Sequence, residues 1–115
     1  MGEHLWGKMD PQMVRMAAAF GGGVGGTRQE LCGAISGGVM VLGAVLGPRS
    51  HGENEDRLRG AIARYRDRFL GEIGPSTQCA ALRQELYGPQ GREPCSVLVY
   101  RAVRILLEIL DEAGY

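Results

Sequence analysis

The chain has 115 residues, of which thirteen are basic and thirteen acidic, so its formal net charge is zero. This length favours a single domain. The balanced charge argues against a nucleic-acid-binding protein, because such proteins usually present a basic surface. No basic segment followed by an apolar one opens the chain, so no export signal is evident and we expect a cytoplasmic protein. We predict one helical, cysteine-containing domain over residues 1–115, with residues 1–9 as a candidate disordered segment.

Three Gly-Pro pairs divide the chain, at residues 47–48, 74–75 and 88–89. Glycine often ends a helix in a left-handed conformation, and proline directly after it prevents continuation. Between these pairs the apolar residues recur with helical spacing, and no segment alternates as a strand would. The sequence therefore predicts an all-α fold of about five helices around one core.

The first predicted helix begins after Asp10, which can cap it, and has Pro11 at its first position. It extends to about Phe20, where the glycine-rich run at residues 21–26 breaks it. Further along the chain, Asn54 and Ser76 are the predicted caps of the third and fourth helices. The third helix has its apolar face formed by Leu58, Ile62, Tyr65, Phe69 and Ile73. The fifth is predicted to begin at Pro94 and to end near Gly114.

The second predicted helix is glycine-rich and without charge. Thr27 and Glu30 have the spacing of a capping box, so we expect this helix to begin there and to reach Leu46. Residues 31–48 carry no charge, but their glycines lower the hydropathy, and we predict a buried central helix instead of a membrane span. Small residues spaced four apart would let another helix approach closely, within the domain or in a homodimer. These residues are Gly33, Gly37, Gly43 and Gly47.

The three cysteines are the candidate catalytic residues. Cys79 and Cys95 lie in the first turns of their predicted helices and Cys32 in a second turn. Helix N-termini favour the thiolate form of cysteine. Helical stepping also places each cysteine on an apolar face. We therefore expect the three sulfurs to lie within about 10 Å of each other. Because Cys32 lies deeper in its helix, we expect Cys79 or Cys95 to be the attacking thiolate.

Two functions fit these cysteines. In the first, the protein is redox-active, and the cysteines either cycle between dithiol and disulfide or hold a metal ion or an iron–sulfur cluster. Alternatively they are ordinary core residues of a non-catalytic helical interaction module. Neither a C-x-x-C pair nor C-x-x-C-H occurs, so the zinc-ribbon and ferredoxin signatures are absent and covalent haem is excluded. Metal binding by Cys32, Cys79 and Cys95 would need a fourth ligand, and the only histidines are His4 and His51.

The glycine run at residues 21–26 formally matches G-x-G-x-x-G. It follows a helix instead of a strand, so we do not expect a dinucleotide site. A glycine-rich turn that leads into a helix N-terminus still offers backbone N–H groups to an anion or to the edge of a cofactor. The candidate cofactor-binding residues are Gly22, Gly23, Gly25, Gly26, Gly33, Ser36 and Gly37.

The order of these motifs resembles a known family. Phe-Gly-Gly-Gly-Val-Gly-Gly at 20–26, Cys-Gly-Ala-Ile-Ser-Gly at 32–37, and the later Cys79 and Cys95 resemble the C-GCAxxG-C-C family of redox-active proteins. The resemblance implies a helical, cysteine-dependent redox or cofactor-binding domain of bacterial or archaeal origin, with an unidentified electron-transfer partner. The family pattern begins with a further cysteine, and residues 1–20 contain none, so we expect a three-thiol site or an external fourth ligand.

Overall fold

The computed structural model describes residues 10–48, 50, 52–74, 76–82 and 95–114, with the backbone alone for Cys95. Four helices have defined bounds within these ranges: α1 (Pro11–Ala18), α2 (Gly33–Leu46), α3 (Asp56–Glu72) and α4 (Cys95–Glu112). Residues 79–82 form a further helical turn. The same ranges contain no strand beyond one isolated bridge between Leu31 and Gln78. The all-α prediction is confirmed.

Helices α2, α3 and α4 pack against each other in all three pairs and enclose one hydrophobic core. The predicted apolar face of α3 is confirmed, since Tyr65, Phe69 and Ile73 are buried and its two remaining members pack against the core. Helix α1 stands apart, because none of its residues is buried. No helix in the described ranges is both long enough and apolar enough to cross a membrane.

Asp10 and Asn54 both bond the backbone at a helix start as the sequence predicts, although the N-cap residue of α3 itself is Glu55. The carboxylate of Asp10 accepts a hydrogen bond of 2.8 Å from the backbone N–H of Gln12, with proline at the first helical position of α1. The side chain of Asn54 accepts one of 2.7 Å from the N–H of Asp56, the first residue of α3. Each bond satisfies a backbone donor that the helix itself leaves without a partner. Residues 1–9, 83–94 and His51 lie outside the described part of the chain, and what the sequence predicts for them stays a prediction.

The predicted start of α2 is wrong. Its N-cap residue is Cys32, and the side chain of Thr27 caps no helix. The Thr27 hydroxyl instead donates to the carbonyl oxygens of Gly23 at 2.8 Å and Val24 at 3.0 Å, and so closes the glycine-rich turn. A capping-box spacing requires the chain to enter the helix at once. Here the Thr27 hydroxyl bonds within the glycine-rich turn instead, and an extended segment separates Thr27 from α2.

The prediction of a close helix contact within the domain at Gly37 and Gly43 is also wrong, whereas a homodimer contact through this face stays a prediction. A Cβ atom at either position would meet nothing within 4 Å outside its own helix. The tight position is Gly38, where a Cβ would lie 2.5 Å from three atoms of the Tyr65 phenol ring and hydroxyl. Gly33 does lie in a close contact, since a Cβ there would be 3.3 Å from the Cα of Gly21, but this contact is not with another helix. The glycines of α2 therefore serve two separate contacts.

Gly38→Ala should lower the free energy of unfolding by about 1–3 kcal/mol, because overpacking a filled core forces its side chains to shift. The added methyl would meet the Tyr65 ring, which is only 1% exposed and cannot turn into solvent. Urea unfolding followed by far-ultraviolet circular dichroism measures the difference.

Gly37→Ala is the matched control one residue earlier, where the added methyl meets open space. Because alanine has the higher helix propensity, this variant should be as stable as the wild type or more stable by up to about 1 kcal/mol. Equal destabilisation by the two substitutions would contradict the packing of Tyr65 on Gly38.

Candidate functional site

Cys32 and Cys79 lie on two short extended segments that pair with each other. The N–H of Cys32 donates to the carbonyl of Thr77 at 2.7 Å, and the N–H of Cys79 donates to the carbonyl of Glu30 at 3.0 Å. These two bonds flank the isolated antiparallel bridge. Cys32 and Cys79 each lie one residue beyond the bridge, which puts them at diagonal positions of the pairing. The fold thus places the backbones of these two cysteines on neighbouring segments.

Cys32 is the N-cap residue of α2, not a second-turn residue as the sequence predicts. Its carbonyl accepts hydrogen bonds from the N–H groups of Ile35 at 3.0 Å and Ser36 at 3.2 Å, and from the Ser36 hydroxyl at 3.4 Å. Its thiol is half-buried and packs against the core. Its side chain makes no capping hydrogen bond to the helix, so the feature that matters here is its position at the positive end of the helix dipole.

Cys79 is the more enclosed of the two, with 8% of its surface exposed. A Cβ atom on Gly23 would lie 2.5 Å from the Cβ of Cys79, so the glycine turn covers this cysteine directly. The predicted Ser76 cap is wrong: its hydroxyl accepts a bond of 3.0 Å from the N–H of Gln78, which precedes the helical turn. Cys79 is the first residue of the helical turn that follows.

The glycine-rich turn has an unusual backbone conformation. Gly22, Gly23, Val24 and Gly25 have φ values of 60° to 62°, and Gly26 has a φ of 82°, so five consecutive residues are left-handed. This conformation costs an ordinary residue energy, and glycine adopts it readily. The turn folds onto the start of α2, where Gly21 approaches Gly33. The glycines therefore allow the backbone to lie over the region that holds both cysteines.

The candidate cofactor-binding residues mainly contact the protein itself. Gly23 packs on Cys79, and Gly33 packs on Gly21. Within the turn, the N–H of Val24 donates to Phe20 and that of Gly26 to Gly21, so these two N–H groups are not presented to an anion. Cofactor binding stays a prediction for the whole set: Gly22, Gly23, Gly25, Gly26, Gly33, Ser36 and Gly37.

The third cysteine begins α4, but the position of its side chain lies outside what the structure describes. The same holds for His4 and His51. Within the described ranges, no group of three or more His, Cys, Asp or Glu side chains could hold a metal ion. A site shared by Cys32, Cys79 and Cys95, with or without a metal, therefore stays a prediction.

Tyr65 is a site residue that the sequence analysis assigned only to the core. Its hydroxyl donates a hydrogen bond of 2.7 Å to the carbonyl of Ala34, in the first turn of α2. Burial raises the pKa of Tyr65, and the negative charge of a Cys32 thiolate raises it further. The phenol therefore stays neutral and lies within electrostatic range of Cys32. A tyrosine on an otherwise apolar helix face is the signal for such a contact, because a buried hydroxyl usually finds a partner.

Comparison with known proteins gives one result that covers almost the whole chain. The model of a family described as "Putative redox-active protein (C_GCAxxG_C_C)" matches residues 1–109, a range that includes the glycine turn and all three cysteines. No curated protein and no solved structure matches. The resemblance predicted from the sequence is thereby confirmed, and the chain belongs to the C_GCAxxG_C_C family.

Proposed function

We propose that Cys32 and Cys79 form a redox-active pair that cycles between dithiol and disulfide. The observation that carries this proposal is the antiparallel pairing of their backbones, with Cys32 bonded to Thr77 and Cys79 bonded to Glu30. Membership of a family described as redox-active supports the class of chemistry. A pair of structural cysteines would gain nothing from the placement of one of them at the start of a helix.

The chemistry is thiol–disulfide exchange with a disulfide-bearing partner, either a small molecule or a protein. The Cys32 thiolate attacks one sulfur of that disulfide, forms a mixed disulfide and releases the first partner thiolate. Cys79 then loses its proton and attacks the sulfur of Cys32, which releases the second partner thiol. Two protein thiols are thus oxidised to one disulfide while the partner disulfide is reduced to two thiols.

Access and electrostatics assign the two roles. Cys32 is half-buried at the N-cap of α2, whereas Cys79 lies under the glycine turn. The attacking thiol must reach the partner, and the resolving thiol needs only to reach Cys32. The sequence favours Cys79 or Cys95 as the attacking thiol. We assign this role to Cys32 instead, because α2 begins directly after it.

Cys32 should react with iodoacetamide faster than Cys79 in the folded, reduced and metal-free protein, and well below pH 8. Thiols at helix N-termini ionise below the free value of about 8.5, and Cys79 is nearly inaccessible. Peptide mass spectrometry after short exposure at a series of pH values reads each cysteine separately. Cys32→Ser should remove the fast reaction, and unfolding in guanidinium should equalise the remaining thiols.

Cys95→Ser is the control for this measurement and should leave the fast reaction in place. A fast reaction at Cys79 or Cys95 instead of Cys32 would contradict the assignment of roles. Uniformly slow alkylation up to pH 9 would contradict the thiolate mechanism and favour the interaction module.

Oxidised glutathione should convert the reduced protein to a form in which Cys32 and Cys79 are linked by a disulfide. Digestion without reduction, followed by mass spectrometry, identifies the linked peptides. Cys79→Ser should stop the reaction at a mixed disulfide between Cys32 and glutathione, because the resolving thiol is missing.

The same reaction in Cys95→Ser shows whether the third cysteine takes part. We expect the disulfide to form there as in the wild type. A disulfide that joins Cys95 to either other cysteine, or protein that stays reduced at every glutathione ratio, would refute the proposed pair.

A further inference from the structure

We propose that Tyr65 is a positioning residue, which holds Cys32 in the dithiol arrangement and thereby sets the balance between dithiol and disulfide. This inference rests on the proposed Cys32–Cys79 couple and concerns its regulation. The contact of Tyr65 on which this inference depends is its hydrogen bond to Ala34. It acts through the first turn of α2.

Three contacts tie Tyr65 to its place between α2 and α3. Its hydroxyl is bonded to the carbonyl of Ala34, two residues after Cys32. Its ring occupies the space that a side chain at Gly38 would take. The ring also meets Phe69 edge to face, with 6.4 Å between the ring centres. Because the ring is 1% exposed, this arrangement fixes the start of α2 against the core.

Closing the disulfide requires the two cysteine backbones to approach each other. Diagonal positions of an antiparallel pair lie about 7–8 Å apart. An unstrained disulfide needs Cα atoms within about 4.4–6.8 Å. Because Cys79 is held beneath Gly23 and is only 8% exposed, we infer that the start of α2 is the part that moves when the bond forms.

A contact shifts an equilibrium only if it differs between the two states. Movement of Cys32 would stretch the bond from Tyr65 to Ala34, whereas the dithiol arrangement keeps that bond at 2.7 Å. The contact therefore favours the dithiol. A neutral hydrogen bond changes an equilibrium constant by about two- to tenfold. The electrostatic interaction that raises the pKa of Tyr65 is consistent with this coupling, since it depends on the position of the Cys32 sulfur.

Tyr65→Phe removes the hydroxyl and keeps the ring that packs on Gly38 and Phe69. In glutathione redox buffers, the full-length variant should form the Cys32–Cys79 disulfide with an equilibrium constant about two- to tenfold larger than that of the wild type. At the upper limit this corresponds to a reduction potential about 30 mV more negative. Quantitative mass spectrometry of the linked and unlinked peptides gives both constants.

Tyr100→Phe is the matched control, because it makes the same chemical change on a tyrosine of α4 that is 69% exposed. It should leave the equilibrium constant unchanged. If Tyr65 only filled space, Tyr65→Phe, which keeps the ring, would leave the equilibrium constant unchanged. The redox equilibrium therefore distinguishes a positioning role from packing alone. If Tyr65→Phe did not fold, Gly38→Ala, which displaces the ring and its hydroxyl, takes its place with the same expected direction.

The outcomes separate this inference from the proposed function. Suppose that the wild-type protein forms the Cys32–Cys79 disulfide and that the equilibrium of Tyr65→Phe is unchanged or shifted towards the dithiol. That result overturns only the role of Tyr65. A wild-type protein that forms no such disulfide at any glutathione ratio overturns the proposed function and this inference with it.

Discussion

The close approach of α2 and α3 at Gly38 is the constraint on which the arrangement of the site depends. Because this position has no side chain, the Tyr65 ring fits against the helix backbone there. That fit brings the phenol hydroxyl to the carbonyl of Ala34 and fixes the first turn of α2. Cys32 is the N-cap of that turn. The position of the proposed attacking thiol is therefore set by a packing contact more than one helical turn away from it.

The glycine-rich turn provides the second half of the arrangement. Five successive left-handed residues would be costly for ordinary side chains, and the sequence supplies glycine at four of these positions. The resulting compact turn lies against both Gly33 and Cys79. A glycine run of this kind suggests phosphate or cofactor binding when it is considered alone. In this fold its described contacts are with the protein, and it encloses the thiol that the proposed chemistry uses second.

The assignment of roles to the cysteines shows how much depends on one helix boundary. If α2 began at Thr27, Cys32 would lie within the helix and gain little from its N-terminus. Since α2 begins at Gly33, the half-buried Cys32 lies at the start of this helix. Access and thiolate stabilisation then favour the same residue.

Local sequence determined the helical class, the bounds of most helices and the family, because these depend on periodicity, caps and motifs that act over a few residues. Asp10 and Asn54 bond the backbone at a helix start as predicted, since each bonds a group two residues away. The start of α2, the choice of Gly38 over Gly37 and the pairing of the segments that carry Cys32 and Cys79 were decided by tertiary structure. Each depends on a partner distant in sequence or on competition between local bonds: Thr27 bonds the turn instead of a helix, Tyr65 comes from α3, and Cys79 is 47 residues beyond Cys32. Spacing along one segment contains no information about which of these contacts has the lower free energy.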